Sequence, residues 1–284
     1  ESLHGALAGA YKYNPRLEAE RAKLRADDEE VPRAKSGYRP RLNAAADIGA
    51  TSERINPKGG RASRNRRNPS GFGVTLDQTL FDGFQTSNNV NAAEAFVRAE
   101  RASLHRVEQE VLAEAVIAYM DVVRDEAIVR LRENNVRVLT SDLRATQDRF
   151  NAGEVTRTDV AQSRARRADA VSDLDLARAN LQTSRANYER IIGRPPSRLR
   201  KPPVPERFLP KTLAEAKDIA VNQNPRVIRA LYREQEARYN VEVIFGELLP
   251  QLDVSGDYLK LFQTSEGIND SDSVSVLGLL RVPV

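Results

Sequence analysis

The side chains that could carry out chemistry are scattered through this sequence and form no reactive set. There is no cysteine among the 284 residues, which excludes disulfides, thiolate metal sites and cysteine nucleophiles. His4 and His105 stand alone on predicted helices, and no carboxylate lies in a setting that indicates acid–base pairing. No glycine-rich phosphate loop occurs. We therefore expect no catalytic residue, no metal site and no cofactor, and we expect that the protein is not an enzyme.

One basic stretch lies between two predicted strands. Its cations are Arg54, Lys58, Arg61, Arg64, Arg66 and Arg67. The intervening asparagine, proline and glycine residues are typical of a solvated turn. The alternative is an electrostatic contact with phosphate groups on a membrane surface. Nucleic acid is a third alternative, since the net charge is +4, but the stretch lacks aromatic residues for stacking and basic and acidic residues alternate elsewhere. We expect no nucleic-acid partner.

A second polar stretch forms the turn between two long predicted helices. Gly153 can adopt the left-handed conformation that ends a helix. Thr156 and Asp159 form a capping box that begins the next helix. An exposed turn at the end of such long helices is also suited to contact a partner. The residues that we expect at this tip are Arg149, Asn151, Ala152, Gly153, Glu154, Val155, Thr156, Thr158 and Asp159.

The helices on either side of this turn dominate the chain. Between Thr86 and Asn151 there is no proline or glycine, and apolar residues recur at three- and four-residue steps, which predicts one helix over 86–151. At 1.5 Å per residue its length is on the order of 100 Å. A return helix is predicted over 156–192. The apolar stripe is rich in alanine and changes phase near Asp125, so we expect lateral packing into a layer or tube of helices.

Two strands precede the long helix. A helix is predicted over 3–35, interrupted at Asn14-Pro15 and broken or kinked near Pro32. Residues 41–53 and 71–81 then alternate between apolar and small or polar side chains, which predicts strands of about the length that crosses a bilayer when tilted. No run of apolar residues is long enough for a membrane-spanning helix. With 6% aromatic and 30% charged residues, we expect little compact core.

The opening of the chain returns after a linker at 193–211 that holds six of the 14 prolines. A helix is predicted over 213–248, with strands over 251–263 and 274–284. Asn14-Pro15-Arg16 recurs as Asn224-Pro225-Arg226 at a spacing of 210 residues, and Pro40 and Leu42 recur as Pro250 and Leu252. We therefore predict a first repeat over 1–192 and the start of a second over 212–284.

A complete second copy would add roughly a hundred residues after Val284, so we expect the chain to be a fragment. No charged and then apolar segment follows Glu1, so we expect that any signal peptide has already been removed. In the third predicted strand, Asp253 and Asp257 face either a water-filled barrel or bulk solvent.

The order of these elements resembles the TolC family of outer-membrane efflux and secretion channels. The marks of the resemblance are the Asn-Pro dipeptides in both repeats, Leu80-Phe81-Asp82-Gly83 before the long helix, and the tip from Arg149 to Val160. The resemblance implies a mainly α fold with membrane β-strands. Long antiparallel coiled α-hairpins would form an α-barrel tunnel, and the strands would belong to a transmembrane β-barrel shared by a trimer.

The resemblance also implies a function. The protein would be a homotrimer in the outer membrane of a Gram-negative bacterium, in contact with outer-membrane lipid and with a long periplasmic part. It would be the passive export duct for drugs or proteins in a tripartite efflux pump or type I secretion system, with a periplasmic adaptor (membrane fusion protein) and an inner-membrane pump as partners. The tip would dock the adaptor, and the basic stretch would be extracellular.

One other class of protein has a similar long hairpin. A periplasmic adaptor or coiled-coil scaffold also carries a docking tip, but it would not explain the duplicated alternating strands. In the TolC family, a second tip and an acidic constriction belong to the second hairpin, which would follow Val284.

Overall fold

The computed structural model describes residues 1–56, 58–60, 63–203, 206, 209–265 and 268–283. The helices are α1 (Leu3–Tyr13), α2 (Pro15–Asp28), α3 (Glu30–Lys35), α4 (Gln85–Asn151), α5 (Arg157–Ile192), α6 (Leu213–Gln223) and α7 (Pro225–Gly246), with a 3₁₀ turn at Ser36–Tyr38. The strands are β1 (Arg41–Ile48), β2 (Thr51–Ile55), β3 (Ser63–Arg67), β4 (Ser70–Phe81), β5 (Gln251–Ser265) and β6 (Ile268–Arg281).

The chain divides into two compact units. The first contains Glu1–Leu24 and Arg101–Val227, and the second contains Arg25–Glu100 and Ile228–Val284. In the first unit, the described residues of the predicted linker at 193–211 contain neither an α-helix nor a strand. Four linker residues, Val204, Pro205, Arg207 and Phe208, lie outside the described part of the chain.

Prolines divide the N-terminal helical segment. Asn14 separates α1 from α2, its Oδ1 accepts a hydrogen bond from the Arg16 amide at 3.0 Å, and its Nδ2 donates to the Ile191 carbonyl at 3.0 Å. Pro15 begins α2, where its missing N–H is not needed. α2 ends at Asp28, four residues before Pro32, because the proline ring clashes with that carbonyl in a continuous helix. Each interruption thus follows from a local sequence signal.

The prediction of one helix over 213–248 is wrong. The segment forms α6 and α7, which are separated at Asn224, and α7 ends at Gly246. A residue before proline is disfavoured in the α region, and Asn224 has φ −72° and ψ 119°, close to the −70° and 121° of Asn14. The Asn224 Oδ1 also accepts from the Arg226 amide at 2.9 Å. The same physical cause therefore divides both helical segments.

The helix starts repeat as well. Ser2 caps α1 by accepting from the Gly5 amide at 3.2 Å, and Thr212 caps α6 by accepting from the Glu215 amide at 3.2 Å. The two caps are again 210 residues apart, so the local structure follows the sequence spacing.

The second unit contains a four-stranded antiparallel sheet in the order β1-β4-β5-β6. The predicted strand over 41–53 is wrong in its second half, because β1 ends at Ile48 and β2 pairs with β3 in a separate hairpin. At the break, the Gly49 amide donates to the Pro69 carbonyl at 2.8 Å. The hairpin also replaces the irregular turn expected for the basic stretch.

The last two strands are longer than predicted. β5 extends to Ser265 instead of residue 263, and β6 begins at Ile268 instead of residue 274. The early part of β6 is polar, with Asp270, Ser271 and Asp272, and has low intrinsic strand propensity. Continuous pairing with β5, from Gln251 opposite Arg281 to Ser265 opposite Ile268, overrides that propensity.

The two faces of this sheet differ in chemistry. Alternation along the paired strands places on one face, here called the apolar face, Leu42, Ala44, Phe72, Val74, Leu76, Leu252, Val254, Tyr258, Val274, Val276 and Leu280. Phe72 and Tyr258 contact each other with ring centroids 5.9 Å apart. The other face is polar in part: Asp253 accepts from the Thr79 hydroxyl at 2.8 Å, and Asp257 accepts from Ser275 at 3.4 Å.

Much of the apolar face is exposed in the single chain. Leu42 is 69% exposed and Val274 is 73% exposed. An exposed apolar area of this kind marks a surface that another molecule or a membrane covers. Separately, no helix in the described ranges combines the length and apolar character that crossing a membrane would require.

In the first unit, leucine, valine and isoleucine side chains form the core together with four alanines and two tyrosines. Its buried members are Ala6, Ala10, Leu17, Val107, Val111, Ala115, Ala118, Tyr119, Val122, Leu181, Tyr188, Ile191 and Ile192.

The phase change predicted near Asp125 coincides with a buried carboxylate that accepts from Arg124 at 2.8 Å and from the Ser184 hydroxyl. Burial opposes ionisation, but these hydrogen bonds outweigh it and lower the pKa of Asp125.

Candidate functional site

The turn between α4 and α5 closes with its own backbone hydrogen bonds. Gly153 has φ +82°, and its amide donates to the Phe150 carbonyl at 3.0 Å. The Glu154 amide donates to the Arg149 carbonyl at 2.9 Å. This pair of bonds is a Schellman motif, which satisfies carbonyls at the end of α4 and requires a residue that tolerates a positive φ. The glycine therefore lies where the sequence predicts a helix end.

The start of α5 closes in the same self-contained way. Thr156 Oγ1 accepts from the Asp159 amide at 3.3 Å, and Asp159 Oδ2 accepts from the Thr156 amide at 2.8 Å. The predicted capping box is confirmed. Hydrogen bonds from Thr156 lower the pKa of the Asp159 carboxyl, so it is ionised at neutral pH. Its charge also lies at the positive end of the α5 dipole.

A layer of small polar residues lies behind the turn. Thr146 on α4 and Ser163 on α5 are buried, with hydroxyl oxygens 3.5 Å apart. Arg149 donates to the Thr146 hydroxyl at 3.4 Å. Small side chains at this layer let the two helices approach closely and hold the turn in one position.

The tip residues are exposed but carry no reactive cluster. Of the predicted set, only Val155 is partly buried, and the others face solvent. A Cβ at Gly153 would meet no atom within 4 Å, so the turn has open space around it. Within the described ranges, no group of histidine and acidic side chains could hold a metal ion. The turn is therefore an exposed surface whose backbone is held by its own hydrogen bonds.

The basic stretch forms the β2–β3 hairpin. Arg54 lies on β2, and Arg64, Arg66 and Arg67 lie on β3. Arg67 forms an ion pair with Glu53 at 3.2 Å and is only partly exposed. Lys58 is exposed in the turn, and Arg61 lies outside the residues that the structure describes.

In the first unit, three arginines converge on one carboxylate from distant parts of the sequence. Glu110 on α4 accepts from Arg16 at 2.6 Å and from Arg106 at 2.7 Å, and it lies 3.4 Å from Arg226. Arg16 and Arg226 are the arginines of the two Asn-Pro-Arg motifs, so both copies of the motif reach one carboxylate. The hydrogen bond from Arg106 is the largest cause of a lowered Glu110 pKa. The 210-residue spacing relates the two arginines to each other in the sequence but does not indicate the carboxylate that they share.

The second unit contains two further contacts between distant parts of the sequence. Glu100 is 3% exposed, and its Oε1 lies 2.6 Å from Arg233 and 3.4 Å from Arg229. At the junction between β4 and α4, Gly83 has φ +64° and lies against the backbone of Gly246. These contacts join distant parts of the sequence, so periodicity could not indicate them.

Comparisons with known proteins agree with this architecture. The sequence model of the outer membrane efflux protein family matches residues 7–194. The chain is 37% identical over 286 residues to the outer membrane efflux protein BepC of Brucella suis, covering 100% of this chain and 60% of BepC. It is 27% identical over 221 residues to the alkaline protease secretion protein AprF of Pseudomonas aeruginosa, covering 74% of this chain and 45% of AprF.

A solved structure supports the fold. The Campylobacter jejuni CmeC outer membrane channel superposes with a TM-score of 0.86 at 16% identity, over 99% of this chain and 61% of CmeC. The predicted fold class, long helical hairpins with membrane strands, is confirmed by this similarity. The chain thus spans about three fifths of the length of BepC and of CmeC.

Proposed function

We infer the role of the full protein from its family, because this chain belongs to the outer membrane efflux protein family. The full protein is the outer-membrane channel of a tripartite efflux pump or type I secretion system. In this role it is a passive duct that carries drugs or proteins to the cell exterior. BepC is named for efflux and AprF for secretion of alkaline protease, and both classes of cargo need such a duct.

The observation that carries this proposal is the two-faced antiparallel sheet. Much of its apolar face is exposed in the single chain, whereas its other face is polar in part, with Asp253, Asp257 and Thr79. Strands that alternate in this way are typical of a barrel with lipid outside and water inside. The apolar face therefore contacts outer-membrane lipid, and the aspartates line the water-filled interior.

The edges of the sheet support a homotrimer. β1 and β6 are the end strands, and each leaves one side of its backbone without a strand partner in the described residues. Open sheet edges do not occur in the hydrocarbon layer, because unpaired amides and carbonyls cost several kcal/mol each there, on the order of 2–7. Pairing of β6 with β1 of the next subunit would close the barrel.

The second copy of the repeat supports a longer protein. Leu17 of α2 is fully buried, whereas Val227, at the equivalent position of α7, is 37% exposed. In the first copy this position packs in a core that α4 and α5 build. We propose that residues 212–284 open a second repeat, whose own helical hairpin covers α6 and α7.

Isolation of the full-length protein tests the channel proposal. We expect a heat-sensitive trimer in outer membranes, extracted only by detergent, with subunits well above 31.6 kDa. Size-exclusion chromatography with light scattering gives the mass of the oligomer. Gels of heated and unheated samples give the mass of the subunit and show whether heat dissociates the trimer. A protein that is soluble without detergent would overturn the channel and favour a periplasmic adaptor or scaffold.

The tip is the proposed docking site for a periplasmic adaptor, which in turn contacts an inner-membrane pump. Glu154 and Val155 are the residues to change, because neither side chain belongs to the capping hydrogen bonds. The double change Glu154→Arg and Val155→Asp should weaken adaptor binding at least about tenfold, as expected for a central contact residue. Binding of purified adaptor to the channel in detergent measures the effect.

The matched control for the tip is Asp142→Arg. It replaces an acidic by a basic side chain, as Glu154→Arg does, on the exposed surface of α4 outside the predicted tip. The control should bind adaptor like the parent protein, and both variants should form trimers. Equal adaptor binding by the tip variant and the parent would show that the adaptor docks elsewhere.

A further inference from the structure

The register of the β2–β3 hairpin sorts its basic residues onto two faces. Arg54 lies directly opposite Arg64, and Arg66 lies opposite Ser52. Directly paired residues share a face, and so do residues two apart on one strand, so these three arginines form one surface. All three are exposed. We call this surface the arginine face.

The opposite face of the hairpin is different. It carries Glu53, whose carboxylate holds Arg67 at 3.2 Å, together with Asn65. Arg67 is therefore compensated within the hairpin. No acidic residue of the described hairpin falls on the arginine face. The four arginines on the two strands of the hairpin thus separate into one paired arginine and a set of three on the other face.

This arrangement is unfavourable in isolation. Like charges directly opposite each other on paired strands destabilise the pairing. An anion between Arg54 and Arg64 would reverse the sign of that interaction. Guanidinium groups present a planar fork that matches the oxygens of a phosphate group and can bind it in a bidentate manner. The chemistry of the arginine face is therefore that of a phosphate-binding surface.

The position of the hairpin selects the source of the phosphate. The hairpin continues directly from the end of β1 and returns into β4, next to Ile48, whose side chain is 87% exposed on the apolar face. On the proposed function, the apolar face lies in the membrane, and the hairpin emerges where lipid headgroups begin. Basic residues near such a surface attract anionic lipid.

We propose that Arg54, Arg64 and Arg66 bind the phosphate groups of a phosphorylated lipid in the outer leaflet, such as the lipid A part of lipopolysaccharide. The proposal rests on the channel function, since it needs the hairpin at the outer membrane surface. It assigns a role to one face of the hairpin and none to Arg67.

Lipid titration of the full-length protein tests this assignment. Purified protein in mild detergent is titrated with diphosphoryl lipid A, and bound lipid is counted by native mass spectrometry. The triple variant R54Q/R64Q/R66Q should bind at least about tenfold more weakly than the parent, because each basic residue near an anionic surface adds to the attraction. The control E53Q/R67Q alters the opposite face without changing the net charge and should bind like the parent.

Two further arms identify the ligand. Lipid A without phosphate groups should bind the parent as weakly as diphosphoryl lipid A binds the triple variant. Inorganic phosphate at the same concentrations should not displace the lipid, and displacement would assign the site to free phosphate instead. Equal diphosphoryl lipid A binding by the parent and the triple variant would overturn the proposal.

The same samples separate this proposal from the channel function. The triple variant should keep the trimer mass of the parent, because its substitutions lie on exposed side chains. A parent protein that is not an outer-membrane trimer would contradict the proposed function, whereas a trimer without arginine-dependent lipid binding would contradict only the lipid assignment.

Discussion

Replacing Gly83 by alanine should lower the free energy of unfolding by at least about 3 kcal/mol, near the upper end of single substitutions. Gly83 has φ +64°, a conformation that costs a residue with a Cβ about 1 kcal/mol. The larger part of the expected loss of stability comes from steric clashes. The new Cβ would lie 2.3 Å from the Gly246 carbonyl oxygen and 2.9 Å from the Leu249 Cβ. Because the nearest atom is backbone, it cannot move aside as a side chain would.

The effect should reach the structure on both sides of Gly83. Asp82 accepts from the Thr86 amide at 2.7 Å and so fixes the first turn of α4. A shift of Gly83 would disturb this bond and the contact with the end of α7 together. We therefore expect the variant to lose trimer in the outer membrane as well as stability, measured by heat-dependent gel mobility and thermal unfolding of the purified protein.

Gly153→Ala is the control for the first prediction. Gly153 has a similar φ of +82°, but a Cβ there would meet no atom within 4 Å. This variant should lose only about 1 kcal/mol of the free energy of unfolding, which is the cost of a positive φ for a residue with a Cβ. Equal losses for the two variants would show that the close approach of Gly83 and Gly246 does not contribute.

Replacing Glu100 by leucine should cost about 2 kcal/mol. Glu100 is buried beside Arg229 and Arg233, and its removal leaves two guanidinium groups without that carboxylate. Loss of one partner from a fully buried ion pair costs about 3–5 kcal/mol. The side chains of Arg229 and Arg233 are 42% and 39% exposed, so water solvates them in part. The expected cost is therefore the smaller value of about 2 kcal/mol. Chemical denaturation of the purified protein measures the change.

A double variant and a surface control make this prediction specific. Replacing both Glu100 and Arg233 by leucine should recover part of the stability that Glu100→Leu loses, because an apolar pair leaves less uncompensated charge. Glu94→Leu removes a carboxylate of the same helix that is 41% exposed and pairs with Arg98 at 3.5 Å. It should change stability by less than about 1 kcal/mol. A loss for Glu94→Leu as large as that for Glu100→Leu would contradict a role for burial.

The sequence predicts best what short-range signals determine. The absence of proline and glycine over 86–151 predicted a helix that the structure places at Gln85–Asn151. Gly153, Thr156 and Asp159 indicated the turn because their hydrogen bonds join residues within a few positions. The interruption at Asn224 was equally local, since Pro225 follows it, although the sequence analysis predicted a continuous helix over 213–248.

Long-range pairing explains most of what the sequence could not indicate. β3 is a strand because it pairs with β2, although its sequence is basic and polar. The polar start of β6 is a strand because β5 lies beside it. The convergence of Arg16 and Arg226 on Glu110 requires α4 to pass both Asn-Pro-Arg motifs, which no periodic pattern reveals.

The self-contained hydrogen bonding of the tip has a consequence for association. Binding usually costs entropy, because loops and side chains at an interface must become ordered. The Schellman motif at Gly153 and the capping box at Thr156 fix the tip backbone during folding, before any partner arrives. On the proposed docking role, the adaptor would meet a rigid surface, and more of the contact free energy would remain as affinity. Recognition there depends on side chains, since the amides and carbonyls that close the turn are already occupied.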